Sequence, residues 1–190
     1  YYNLEYFDKA VAETKKAIEN GETYKNFYKL AKAYNLYGII LVSNGKTEIA
    51  EKYLSKADSI YTDLNDEKSK ANVLYGKGLL EIRLGNYEKA ISYLKPAAQS
   101  FKEQGLLYQE VGAYSSTADA LSLMNPEIYP RPLQEARNLL KTVTEISYSQ
   151  GFTKYIVESH RINSQILIAE KMNSKAEEEL KYYFNRKDWL

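Results

Sequence analysis

Three stretches of the chain carry residue types that could do chemistry. Gly45-Lys46-Thr47 ends as a phosphate-cradling loop ends, with a lysine to meet phosphate and a hydroxyl to meet its metal. Such a loop needs another glycine five residues before Gly45, and Ile40 stands there. It must also follow a strand, whereas this segment lies between two helical patterns, so no nucleotide site is expected. His160 is the only histidine and there is no cysteine, which leaves no partner for a zinc cluster or a nucleophile relay. It falls in phase with Tyr34, Leu74 and Tyr114 and is expected to pack at a seam between helices. Glu177-Glu178-Glu179 falls in the first turn of the last helical pattern, where carboxylates favour the helix dipole, and is expected to be solvated. No catalytic residue, metal or cofactor is implied, and the chain is not expected to be an enzyme.

Bulk composition narrows the partners. With 26 basic and 25 acidic side chains, nothing in the net charge draws the chain to nucleic acid or to an anionic membrane. The longest strongly apolar run, Leu36 to Val42, is far short of the roughly 20 residues a membrane-spanning helix needs, so no membrane contact is expected. At 190 residues the chain is long enough to bury about 70% of its unfolded surface in one ordinary domain. Its 19 tyrosines suit seams where the ring is buried and the hydroxyl reaches an edge, with a minority left to face a ligand.

The elements that would position these residues repeat. Gly45, Ala50, Tyr53, Leu54 and Ala57 recur 40 positions later as Gly85, Ala90, Tyr93, Leu94 and Ala97. Allowing six inserted residues in the proline-containing stretch after Met124, the alanine continues at Ala136 and Ala176; walking backward it reaches Ala10, with Ala17 matching Ala57. An upstream set keeps the same steps: Tyr34 with Gly38, Leu74 with Gly78, Tyr114 with Ala118, His160 with Ser164. A fixed period of this size is the mark of a repeat array. Within each unit apolar and small residues recur at three, four and seven, which predicts two helices meeting at the small residues. Gly85-Asn86 breaks one pair of helices, and Asn65, Gly105 and Gly151 sit where a left-handed residue would close the second helices. Ser174 with Glu177 fits a capping box for the last helix. The expectation is nine helices in one domain over 1–190: an unpaired helix at 4–20, then repeats at about 23–64, 67–104, 106–150 and 152–186. Residues 1–5 cannot supply the partner helix for Phe7 to Ile18, so an upstream repeat in a longer protein is expected. The insertion Pro126 to Pro132 is expected to be a tolerated loop, with recognition through Tyr129 and Arg131 as the alternative.

At Leu74, Gly78, Gly85, Tyr87, Ala90, Leu94 and Ala97, and at the similar set from Tyr34 through Ala57, the chain resembles a tetratricopeptide repeat array. The period exceeds the family's usual length of about 34, Asn125 and Lys171 replace the turn glycine, and His160 replaces a large residue. The resemblance implies an all-α fold, an α-solenoid of antiparallel helical hairpins wound as a right-handed superhelix. It also implies a non-enzymatic protein–protein interaction module that holds a peptide or partner segment along the first helix of each unit. Carrying the groove positions over points to Lys32, Asn35 and Ile39, to Asn72, Tyr75 and Leu79, to Ser115 and Asp119, and to Glu158, Arg161 and Gln165. Tyr75 would supply rigid contact area, while Arg161 and Asp119 would orient the partner by charge; Tyr75 and Arg161 are expected to be exposed. Chaperone adaptors of the family clamp a C-terminal carboxylate, but Asn35, Ile39, Gly76, Gly112 and Ser116 stand at those places without the charge. The alternative function is the sensory or regulatory input domain of a larger signalling protein, such as a histidine kinase or transcription regulator.

Overall fold

The computed structural model describes residues 2–125 and 131–186. Among them every regular element is an α-helix: α1 (Tyr2–Thr23), α2 (Phe27–Ser43), α3 (Thr47–Asp63), α4 (Glu67–Leu84), α5 (Tyr87–Glu103), α6 (Leu107–Leu123), α7 (Pro132–Gln150), α8 (Thr153–Ala169) and α9 (Asn173–Arg186). The fold is all-α, built of antiparallel helical hairpins that alternate along the chain. The chain forms two compact units, residues 1–86 with α1 to α4 and residues 87–190 with α5 to α9.

One backbone device closes almost every connection. At Gly85 the φ angle is +80°, Gly85 N–H bonds to the Ile82 carbonyl at 3.1 Å, and Asn86 N–H reaches back to Glu81 at 2.9 Å. These two bonds satisfy carbonyls that the end of a helix leaves without partners. Asn65 (φ +52°) repeats the closure, with Asp66 N–H on Tyr61 O at 2.9 Å. Lysines hold the same left-handed conformation at Lys25 (φ +50°) and Lys171 (φ +61°). The exception is the end of α6, where Met124 leaves in an extended conformation and Asn125 is not left-handed. Pro126 to Pro130, including Tyr129 of the anticipated recognition loop, lie outside the described residues; Arg131 (φ +60°) precedes α7.

The small residues seat the helices. In unit 1, Ala50, Leu54 and Ala57 of α3 are wholly buried. A β-carbon at Gly38 of α2 would stand 2.8 Å from Leu54 Cγ, and one at Gly76 of α4 would stand 2.7 Å from Leu54 Cδ2. One leucine therefore fits into notches on two different helices. Tyr53 closes the α2–α3 seam with its ring centre 5.5 Å from Tyr34 and 4.7 Å from Tyr37. In unit 2, Ala90, Leu94, Ala97 and Phe101 are buried along α5, and Val111, Val143 and Tyr155 form a cluster shared by α6, α7 and α8. α5 also carries Pro96 inside it, on its exposed side.

Candidate functional site

Because successive hairpins run up and down, the first helices lie side by side within each unit: α2 beside α4, and α6 beside α8. This brings the anticipated site residues together as two sets.

In unit 1, Lys32 on α2 is exposed, whereas Asn35 on the same helix is buried. The Asn35 carboxamide faces α4, where a β-carbon on Gly76 would lie 3.3 Å from Asn35 Oδ1; that oxygen has no hydrogen-bond partner. On α4, Asn72, Tyr75 and Leu79 are half-buried, and Asn72 Nδ2 donates to the Ser69 carbonyl at 3.3 Å. Leu79 packs against the unit 1 core.

In unit 2 the charges are already engaged. Arg161 of α8 reaches α6 with both terminal nitrogens, Nη1 to Asp119 Oδ1 and Nη2 to Asp119 Oδ2, each at 3.0 Å. Its Nε donates to Glu158 Oε2 at 2.8 Å, and Nη1 also donates to Gln165 Oε1 at 3.2 Å. Burial opposes the charge on this guanidinium, but Asp119 and Glu158 more than offset it and hold the group above its ordinary range. The Arg161 side chain is only 26% exposed, so it is not the exposed orienting charge anticipated from sequence; it ties α6 to α8. Ser115 is buried. Register makes Gln165 the position equivalent to Asp119 and puts Arg161 one helical turn before it, but it does not say that the two helices bring them together.

The remaining chemistry-bearing residues lie at turns, seams and the surface of α9. Lys46 caps the N-terminus of α3 through its backbone, inside a helix–helix turn closed by Gly45. His160 packs at the α8–α9 seam, its ring centre 3.7 Å from that of Tyr182, and donates from Nδ1 to Glu179. Asn163 Nδ2 donates to the other oxygen of Glu179 at 2.9 Å. Glu177 and Glu178 are exposed as expected, but Glu179 is not solvated surface: it is half-buried and holds α9 to α8. Ser174 is the second residue of α9 rather than its cap, so the expected capping box is displaced. Among the described residues no cluster of candidate metal ligands occurs, and no helix is long and apolar enough to cross a membrane.

Residues 29–103, spanning α2 to α5, match the family described as tetratricopeptide repeat. Over that segment the chain is similar to tetratricopeptide repeats. The matched residues include Gly38, Leu54 and Gly76, which meet at the α2–α3 and α3–α4 seams of unit 1. Downstream of the match, α6 to α9 continue the antiparallel hairpins with the same left-handed closures at Gly105, Gly151 and Lys171. Tetratricopeptide repeats are in general protein–protein interaction modules without enzymatic activity. No curated protein matches the chain.

Proposed function

We propose that the first-helix faces of this chain bind an extended or helical segment of a partner protein, chiefly through Lys32, Asn72, Tyr75 and Leu79 in unit 1. The observation that carries this reading is the side-by-side placement of α2 and α4 with polar, aromatic and apolar side chains left half-exposed on that face. In unit 2 the Asp119–Arg161 pair belongs to the scaffold, and Gln165, whose Oε1 already accepts from Arg161 and Ser122, would meet a ligand through its Nε2.

The test begins with a partner captured by the intact chain and then measured by titration. Tyr75→Ala is expected to weaken that complex by about 1–2 kcal/mol, the scale of a moderate hot spot. Lys52→Glu, on the exposed side of α3, is expected to leave it unchanged. Full affinity in Tyr75→Ala together with loss in Lys52→Glu would move the function to the second helices.

A further inference from the structure

Beside the second helices of unit 2, the chemistry changes from one repeat to the next. Within that unit α6 packs on both α5 and α7, and α8 packs on both α7 and α9. Where the first of these assemblies has Ile91, Ala98, Ala113 and Leu139, the second has Arg137, Thr144, Ser159 and Glu179 at the equivalent positions, and His160 replaces Tyr114. Ile91, Ala98 and Ala113 are buried, so these are packing positions. Turning them polar together forgoes hydrophobic contact at a seam, and local departures of this kind concentrate at functional sites. A cleft of about 310 Å³ opens among the polar residues, with Leu140 as its buried apolar wall. That volume lies at the lower end of pockets that hold small molecules, about 300–1,000 Å³. α7 and α9 flank the cleft and α8 forms its floor, so all its walls belong to unit 2.

Its polar groups have most of their protons already placed. Thr144 Oγ1 donates to the Leu140 carbonyl and Ser159 Oγ to the Tyr155 carbonyl, each at 2.7 Å, so both oxygens keep lone pairs alone for a visitor. His160 donates from Nδ1 to Glu179, which leaves Nε2 of a neutral imidazole as an acceptor. Asn163 donates from Nδ2 to the other oxygen of Glu179 and keeps its Oδ1. The charges are matched as well: Arg137 is held by Glu170, Lys141 lies 3.9 Å from Glu145, and both oxygens of Glu179 are taken. The cleft thus offers several acceptors and no unmatched charge. A ligand that suits it brings hydroxyl donors and carries no net charge.

We propose that the cleft formed by α7, α8 and α9 binds a small neutral polyol, such as a monosaccharide. Its hydroxyls donate to Thr144, Ser159 and His160, and its carbon skeleton rests against Leu140. This site is separate from the first-helix face, and neither depends on the other.

The experiment is a titration of the intact, isotope-labelled chain with D-glucose, D-ribose, myo-inositol and glycerol in turn, read as amide shifts by NMR. At least one of them is expected to bind saturably, with the shifts gathered around Thr144, Ser159, His160 and Glu179. Ser159→Ala and Thr144→Val each remove one acceptor oxygen and are expected to weaken that binding about 3- to 10-fold. Thr144→Ala with His160→Tyr rewrites the cleft with residues that pack in the preceding repeat, and is expected to abolish saturable binding. Tyr75→Ala is expected to leave it unchanged. No saturable binding by any of the polyols, shifts gathered elsewhere, or equal binding by the rewritten variant overturns the inference. Saturable binding of acetate or n-butylammonium in their place also overturns it, because the cleft would then carry a charge for which the pairing leaves no room.

Discussion

Leu54 fixes three helices with one side chain. It is wholly buried on α3 and fills the notches left by Gly38 on α2 and Gly76 on α4. Gly76→Ala would place a methyl against Leu54, Ile39 and Asn35 at once. Overpacking of this kind costs about 1–3 kcal/mol, against a gain of at most about 1 from replacing glycine in a helix, so the variant should unfold at lower urea. An unchanged midpoint would mean that the seam is loose. Arg161→Ala should also lower stability, by about 1–3 kcal/mol in the same titration, because it strands the Asp119 and Glu158 carboxylates in a half-buried setting. Arg161→Lys should recover only part of the loss, since an ammonium cannot make the forked contact with Asp119. Stability equal to the unmodified chain in Arg161→Ala would show that the network contributes nothing. The two residues differ in how readable they were. The small residues at 38, 78, 50 and 90 announce the seam by their spacing, whereas which carboxylate Arg161 selects depends on the approach of two helices 42 positions apart. The burial of Asn35 and Ser115 escaped for the same reason: a carried-over groove position fixes a helix face, not the depth of packing around it.

At the scale of the element, the turn chemistry was largely legible. Gly85, Gly105, Gly151 and Asn65 all take the left-handed conformation their residue types favour. Lys25 and Lys171 do so without any such preference, because the hairpin closure demands it of whatever residue arrives there. The same closure explains the displaced cap of α9: Met172 N–H is held by Leu167 O at 2.8 Å, so the helix starts immediately after it and Ser174 falls inside. Pro96 is the local conflict in α5, where it withholds the N–H that the Ser92 carbonyl would accept. Its exposure lets water serve that carbonyl. Pro96→Ala should stabilise the chain by about 1–3 kcal/mol, read as a higher Tm. A lower Tm would show that the proline shapes α5 in a way the fold uses.

The whole molecule carries almost no net charge, so its response to pH is set by individual buried groups. In unit 1, burial raises the Tyr34 hydroxyl to about 12, helped by its bond to Glu22 at 2.8 Å, and burial raises Tyr61 to about 12. Folding keeps both phenols neutral beyond their ordinary value near 10, so their contribution is complete below about pH 10 and is lost as pH rises toward 12. Unit 1 should therefore lose stability steeply between about pH 10 and 12, at up to about 1.4 kcal/mol per pH unit for each tyrosine. Hydrogen exchange followed by mass spectrometry along α2 and α3 would register it. Tyr61→Phe should flatten the slope by about half; an unaltered slope would assign the alkaline loss to other groups.

The sequential pairing of the helices has a consequence in time. Within each unit the described helices pack chiefly on helices one or two places away along the chain. Closing such short loops carries little entropic cost, and proteins built this way fold in roughly microseconds to milliseconds. Synthesis adds only about 5–20 residues per second. Once α4 has left the ribosome, every helix that Leu54 touches has emerged, so Leu54 can reach both of its glycine notches before unit 2 is complete.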